Sequence, residues 1–503
     1  MEFELMNKIL PLALMLPLLT SVGAEAGFGT KVDEVNKNTT EKSEETQMDQ
    51  QALFDKTRRG VVTIRVSVAL DRAMYNKQWF GTGFIADKEK GLIVTNAHVA
   101  GELTVCSYEV KFGNGKKLEA KLEYLDPSFD FAILSVNPKD IPQYAMPLKI
   151  SDEEITINSE IYSMGNSANN EFSTYKGYVF DVESILWLKP IAEQSFQFSG
   201  LTVPGASGSP VLNKKGEVVG LLYGGKVVSG AALPISYVTP ALESLKSGRK
   251  FHRYFCGLII NYGSVQDFVN AGNLPESVLE EYEKQFPDKD KVLYIARKLS
   301  AFDAEKNQIE AGDIIWSIDG ELIGPRLKRI DEIVQQKQGK SINLVIYRNG
   351  KKKEIEIPTF EITNKSSMKM LSFGGAVFYE TPLEYKIYFG KGTTGVYLAE
   401  CESGSPFSDV CYSNAGGIIS TGAQILSIDG KDISSLDDLA DIIPSLCKKK
   451  VFTIRYVKMC TDDQVSSVTV KHTPEFAEAK LYTFNSEKKK WDVKHIKNPQ
   501  QQG

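Results

Sequence analysis

From about Ala52 to Leu245 the chain is a succession of short apolar or alternating runs broken by Gly, Asn and Asp: VVTIRVSV, GTGFIA, GLIVTNA, FAILSV, SEIYSMG, GEVVGLLYGG and AALPISY. Side chains alternate across a strand with a period of two. Short runs of this kind, separated by turn formers, therefore predict strands rather than helices. Many such strands in close succession predict an all-β barrel or sandwich. One helical pattern closes the stretch, SYVTPALESLKSG, with Pro240 near its start and Gly248 just past its end, where each residue costs a helix least.

Beyond residue 250 a pattern recurs. AGDIIWSIDGELI (Ala311 to Ile323) matches TGAQILSIDGKDI (Thr421 to Ile433). Each copy follows a strand-like run, KVLYIARKL or TGVYLAECE, and precedes a helix-like one, RIDEIVQQKQG or SLDDLADIIPSL. Each then ends in a further strand, SINLVIYRNG or VFTIRYVK, so the chain carries two tandem modules. Asp319-Gly320 and Asp429-Gly430 are tight-turn signals between strands. The segment after Pro474 is polar except for KLYTFN and WDVKHI, and the pattern assigns it no place.

At the other end, MNKILPLALMLPLLTSVGAEA has Lys8, an apolar run from Ile9 to Leu19 and then small residues. That order is that of a secretory signal peptide, and the run is shorter than the ~20 apolar residues a membrane span needs. The glutamates of MEFEL suit such a segment badly, so Met6 is the expected start. Residues 27–50 are polar and aperiodic and read as a flexible linker. No later run is long and apolar enough to span a bilayer, so the mature chain is expected to be soluble.

Composition narrows the classes. A length of 503 residues is enough for about three domains. With 42% apolar and 24% charged residues, most of the chain can bury cores. A net charge of -5 without a clustered basic face speaks against a nucleic-acid partner. Six cysteines without a C-x-x-C pair, and four scattered histidines, speak against a zinc site and leave no metal or cofactor expected. Four of the cysteines, Cys401, Cys411, Cys447 and Cys460, fall late in the chain. An oxidising compartment would allow a disulfide among them, with a pairing that spacing does not determine.

The candidate chemistry centres on PGASGSPVL, Pro204 to Leu212. A serine nucleophile needs a base. His98, in LIVTNAHVAG, is the one histidine inside the β-rich stretch; His252, His472 and His495 lie outside it. The base needs an orienting acid. Of Asp126 and Asp130 in LDPSFDFAIL, Asp130 directly precedes an apolar strand that would bury it, whereas Asp126 precedes a proline and reads as turn chemistry. Histidine titrates near neutrality and can accept the serine proton during attack, and a buried aspartate holds its tautomer. The backbone N–H groups of Gly205 and Ser207 can bind the oxyanion that develops. Ser209 is a rival nucleophile but lacks the preceding Gly-x element.

His98, Asp130 and Ser207, in that order within one β-rich unit, resemble the chymotrypsin-like serine proteases and in particular the HtrA/Deg family. TNAHV, DFAIL and GASGSPVL are similar to that family's three motifs, and the two repeats resemble PDZ domains. The implied fold is mainly β: a chymotrypsin-like double β-barrel protease domain followed by two PDZ-like β-sandwich domains with short helices. The implied segments are a signal peptide (1–26), a linker (27–50), the protease domain (51–247), two PDZ-like domains (248–362 and 366–473) and a tail (474–503). FCGLII and FGGAVF look like PDZ carboxylate-binding loops, which would place Gly257, Leu258 and Ile259, and Gly374, Gly375 and Ala376, against a peptide end.

The resemblance further implies an ATP-independent endopeptidase of extracytoplasmic quality control that acts on unfolded or misfolded proteins. It implies a homotrimer or larger assembly and a periplasmic location. A chaperone or scaffold with a conditionally inactive site, and a dedicated processing protease, are the alternatives. Walls formed by GLLYGG and SGAALP predict cleavage after aliphatic residues. Two positions depart from the family: Ala206 stands where asparagine is usual, and Ser209 where glycine is.

Overall fold

The computed structural model describes residues 51–68, 78–101, 106–167, 170–185, 193–200, 202, 204–226, 228–298, 309–362, 369–381, 395–411, 419, 422–457, 465–473, 476, 478–485 and 487–496. The signal peptide and the linker read from the sequence lie outside them. No helix among the described residues is long and apolar enough to cross a membrane.

The first twelve strands form two closed barrels. The first contains β1 (Val61–Val68), β2 (Gln78–Asp87), β3 (Leu92–Thr95), β4 (Cys106–Lys111), β5 (Lys117–Leu125) and β6 (Ala132–Ser135), in the order β1-β2-β3-β6-β5-β4. The second contains β7 (Glu160–Ser167), β8 (Asn170–Ile185), β9 (Gln194–Ser199), β10 (Pro210–Leu212), β11 (Val218–Lys226) and β12 (Ser229–Pro234), in the order β10-β11-β12-β9-β8-β7. Closure removes sheet edges, and inward residues such as Ile64, Ile93, Val110 and Leu134 fill one barrel while Ile161, Phe196, Val211 and Leu222 fill the other. The helix Thr239–Lys246 closes the unit, with Gly248 at φ +72° just beyond it.

Three antiparallel sheets follow. β13 (Arg253–Phe255) pairs only with β20 (Phe360–Ile362) among the described strands, bracketing the first repeat. Within it run β14 (Leu258–Ser264), β15 (Lys291–Lys298), β16 (Ile314–Ile318), β17 (Glu321–Leu322), β18 (Ile342–Arg348) and β19 (Lys351–Ile357), in the order β14-β15-β16-β18-β19, with β17 folding back on β16. Asp319 and Gly320 both take positive φ, 49° and 84°, and make the tight β16–β17 turn that the Asp-Gly pair predicts. The helix Leu327–Lys337 buries Leu327, Ile330, Ile333 and Val334, the one-sided spacing expected of a helix packed on a sheet.

The second repeat follows the same path through β22 (Ala376–Glu380), β23 (Val396–Cys401), β24 (Gln424–Ile428), β25 (Lys431–Asp432), β26 (Val451–Val457) and β27 (Val465–Lys471), with the helix Leu436–Leu446. It differs at one edge. There β21 (Lys369–Phe373) pairs with β22, and the hairpin of β28 (Ala479–Asn485) and β29 (Lys490–Ile496) continues the sheet beyond β21. The runs KLYTFN and WDVKHI, unplaced by their local pattern, are therefore strands of this sheet. A disulfide joins Cys401 to Cys411.

Candidate active site

His98 lies on a single helical turn, Ala97–Ala100, at the end of β3. Two contacts hold that turn and a glycine ends it. Trp79 Nε1 donates to the Val99 carbonyl at 2.8 Å, the Tyr108 hydroxyl donates to the Ala100 carbonyl at 2.9 Å, and Gly101 ends the turn at φ +77°. Asp130 comes from the turn before β6 and is 1% exposed. Its Oδ2 lies 2.7 Å from His98 Nδ1, and its Oδ1 accepts the His98 backbone N–H at 2.9 Å. Asn96 Nδ2 donates to the Asp130 carbonyl at 2.8 Å. The carboxylate is thus buried while the imidazole stays 44% exposed.

The serine loop comes from the other barrel, and Thr82 joins it to the histidine side. The Thr82 N–H donates to the Ser207 carbonyl at 2.8 Å and its hydroxyl donates to the Gly205 carbonyl at 2.9 Å. Thr95 Oγ1, three residues before His98, donates to the Thr82 carbonyl at 2.7 Å. The Asn166 N–H donates to Thr82 Oγ1 at 2.9 Å, and Thr63 Oγ1 donates to Asn166 Oδ1 at 3.1 Å. Carbonyls of the loop are therefore tied down, while the Gly205 and Ser207 amides have no acceptor among the described residues. Two N–H groups without an acceptor, on either side of Ala206 in the loop that carries the Ser207 hydroxyl, suit an oxyanion.

Gly205 at φ +96° and Gly208 at φ +86° let the loop turn this tightly. A Cβ on Gly208 would fall 1.9 Å from the Thr82 carbonyl oxygen. We expect Gly208→Ala to destabilise the two-barrel unit by on the order of 3 kcal/mol, read from urea melts. A melt superposable on the wild type would show that the loop can relax.

Both departures from the family pattern have a packing cause. Ala206 is 4% exposed and packs among Phe196, Phe198, Val211 and Val219, where a polar side chain would lie unpaired. Ser209 is 1% exposed, and a Cβ on Gly165 would fall 1.9 Å from its Oγ, so the hydroxyl lies buried against that glycine.

The sequence reading missed several residues of the site. Thr82, Thr95 and Asn166 bridge the barrels, and a threonine inside GTGF and another in IVTN were the visible signals. Tyr223, 2% exposed on β11, has its phenol pushed well above the usual range by burial, then by the Glu193 and, least, the Asp130 carboxylates, and so stays protonated. Asp126 does accept turn amides, from Ser128 and Phe129 at 2.8 Å each, but it is also fully buried and paired with Arg253. Burial raises the thiols of Cys106 to about 12 and Cys256 to about 11, leaving them inert at neutral pH.

The two predicted carboxylate loops fare differently. Gly257 leads into β14, which carries Leu258 and Ile259 and is an edge strand among the described strands, beside the helix Leu327–Lys337. Between them remains a cavity of about 40 Å³, closed from the barrel side by Ser128, Phe129 and Tyr237. Gly374 and Gly375, at φ +66° and +76°, instead form the two-residue turn between β21 and β22, with Ala376 opposite Phe373. β21 takes the edge that an added peptide strand would occupy, and Lys369 on β21 pairs with Asp437 of the adjoining helix. Those three residues thus stand at a hairpin turn, with β21 lying along β22.

Residues 81–221 match the trypsin-like peptidase domain family, and residues 285–359 match the PDZ domain family. The chain carries a trypsin-like peptidase domain followed by a PDZ domain. The trypsin-like match spans His98, Asp130 and Ser207. Relatives include the pro-apoptotic serine protease NMA111 of Chaetomium globosum, 27% identical over 89% of this chain and 43% of its own length. The NMA111 of Saccharomyces cerevisiae is 26% identical over 92% of this chain and 46% of its own. The chain spans less than half the length of these curated relatives. Among solved structures, an HtrA-type protease AlgW with a decapeptide aligns at 19% identity and a TM-score of 0.45, over 62% of this chain and 98% of that one.

Proposed function

We propose that this chain is an ATP-independent serine endopeptidase of extracytoplasmic protein quality control, with unfolded or misfolded proteins as substrates. The observation that carries the reading is the doubly hydrogen-bonded His98–Asp130 pair, tied through Thr95 and Thr82 to a serine loop whose Gly205 and Ser207 amides have no acceptor among the described residues. Ser207 Oγ attacks the scissile carbonyl as its proton passes to His98 Nε2. Asp130 stabilises the imidazolium and keeps the Nδ1 proton in place. The two amides bind the oxyanion, each donor contributing ~2.7–4 kcal/mol to the barrier reduction. His98 then protonates the leaving amine, and water, activated by the same imidazole, releases the acyl group from Ser207.

The first repeat is the reader of peptide C-termini, because its β14 edge is unpaired among the described strands. The second repeat serves as scaffold, its equivalent edge being filled by β21. The Cys401–Cys411 disulfide supports an oxidising compartment such as the periplasm. Assembly as a homotrimer belongs to the same reading.

The test is a fluorophosphonate probe together with casein degradation in the absence of ATP. Labelling of one serine, and casein cleavage after aliphatic residues, are expected. Folded protein that takes no label and cleaves neither casein nor a peptide library would overturn the endopeptidase reading. Cleavage of one native protein with casein untouched would turn it into a processing protease.

A further inference from the structure

We propose that Arg253, outside the two barrels, is a positioning residue for the catalytic acid: it fixes the Asp126–Phe131 turn that presents Asp130 to His98. This inference rests on the endopeptidase reading above.

The turn is closed on itself. The Asp126 N–H donates to the Phe131 carbonyl at 3.1 Å, and the Phe131 N–H to the Phe129 carbonyl at 2.8 Å. The Asp126 carboxylate accepts the Ser128 and Phe129 amides at 2.8 Å and the Tyr124 hydroxyl at 2.9 Å. Asp130 therefore moves with Asp126. That carboxylate is 0% exposed, and a buried charge persists only when it is paired.

Arg253 supplies the pairing, with Nε at 2.9 Å and Nη2 at 2.7 Å from Asp126 Oδ2. Its guanidinium carbon lies 4.8 Å from the centre of the Phe129 ring, so it grips the turn by charge and by stacking. It also donates to the Tyr237 carbonyl at 3.4 Å. The remaining arm, Nη1, reaches Asp331 on the helix Leu327–Lys337 at 3.3 Å. Arg253 itself sits on β13, at the border of the first repeat. One planar, five-donor side chain thus spans the acid's turn and the repeat's helix, which a lysine cannot do with a single ammonium.

The test compares the full-length wild type with R253K and R253M, titrating active sites with the fluorophosphonate and measuring kcat per titrated site and KM on one peptide. A displacement of about 1 Å in a catalytic group costs ~10²-fold, so R253M is expected to lose about that factor in kcat per site and R253K ~10-fold, with KM within about twofold for both. A merely structural role would reduce the number of titratable sites and leave kcat per site unchanged. Should R253M fail to fold, R253K carries the reading. Wild-type kcat per site in R253K, or in folded R253M, overturns the inference. A wild type that takes no label would instead sink the endopeptidase reading.

Discussion

Ser207→Ala is expected to lower kcat on the order of 10⁶-fold while leaving KM for a peptide within a few-fold of the wild type. The hydroxyl makes no hydrogen bond to a described residue, so its loss leaves no described donor or acceptor without its partner. The loop stays pinned through the Ser207 and Gly205 carbonyls, which alanine retains at position 207. Substrate binding and the two oxyanion donors survive, and a residual rate of about 10³-fold over water is expected from them. Ser209→Ala is the matched control. Its hydroxyl is buried against Gly165 without a hydrogen-bond partner among the described residues, so its removal should leave kcat within about twofold. Steady-state kinetics on both variants decide between the serines: loss of activity in Ser209→Ala with retention in Ser207→Ala would reverse the assignment.

Asp130→Asn carries the second largest expected effect, a fall of ~10⁴-fold in kcat. The geometry dictates how. Oδ1 of Asp130 accepts the His98 backbone N–H, and only an oxygen can do so. An asparagine must therefore keep its carbonyl there and turn its NH₂ group toward His98 Nδ1. The ring nitrogen 2.7 Å away in the wild type then becomes an acceptor, its proton moves to Nε2, and the nitrogen facing Ser207 can no longer take a proton. The fold should be nearly unaffected, since the neutral isostere fits the same buried space. The check is kcat together with thermal unfolding. A variant as active as the wild type would mean that the carboxylate does not orient the base.

The first repeat and the barrels were legible because their signals are local. Alternation over four to eight residues, Asp-Gly turns and one-sided helices follow from backbone periodicity alone. The candidate triad was legible for a related reason: each member sits in a short motif, and their order is a one-dimensional property. The pairing around the second carboxylate loop was not legible, although a local signal for its turn was present. Gly-Gly between two alternating runs is a hairpin turn as readily as a ligand loop, and β21 has neighbours on both sides only because residues 479–485 return to pair with it.

The sequence by itself determined the strand and helix content, the two-module repeat, and a histidine, an aspartate and a serine in workable order. Those are matters of side-chain period and residue chemistry, which neighbours along the chain suffice to express. Only the tertiary structure decided what holds the site. Thr82 meets Gly205 across 123 positions, Thr63 meets Asn166 across 103, and Arg253 meets Asp126 across 127. Each is a polar side chain whose partner is found only when two barrels, or a barrel and a repeat, come together. Burial then makes pairing obligatory: a threonine, an asparagine or an arginine without water must find its donor or acceptor in whatever the fold brings beside it.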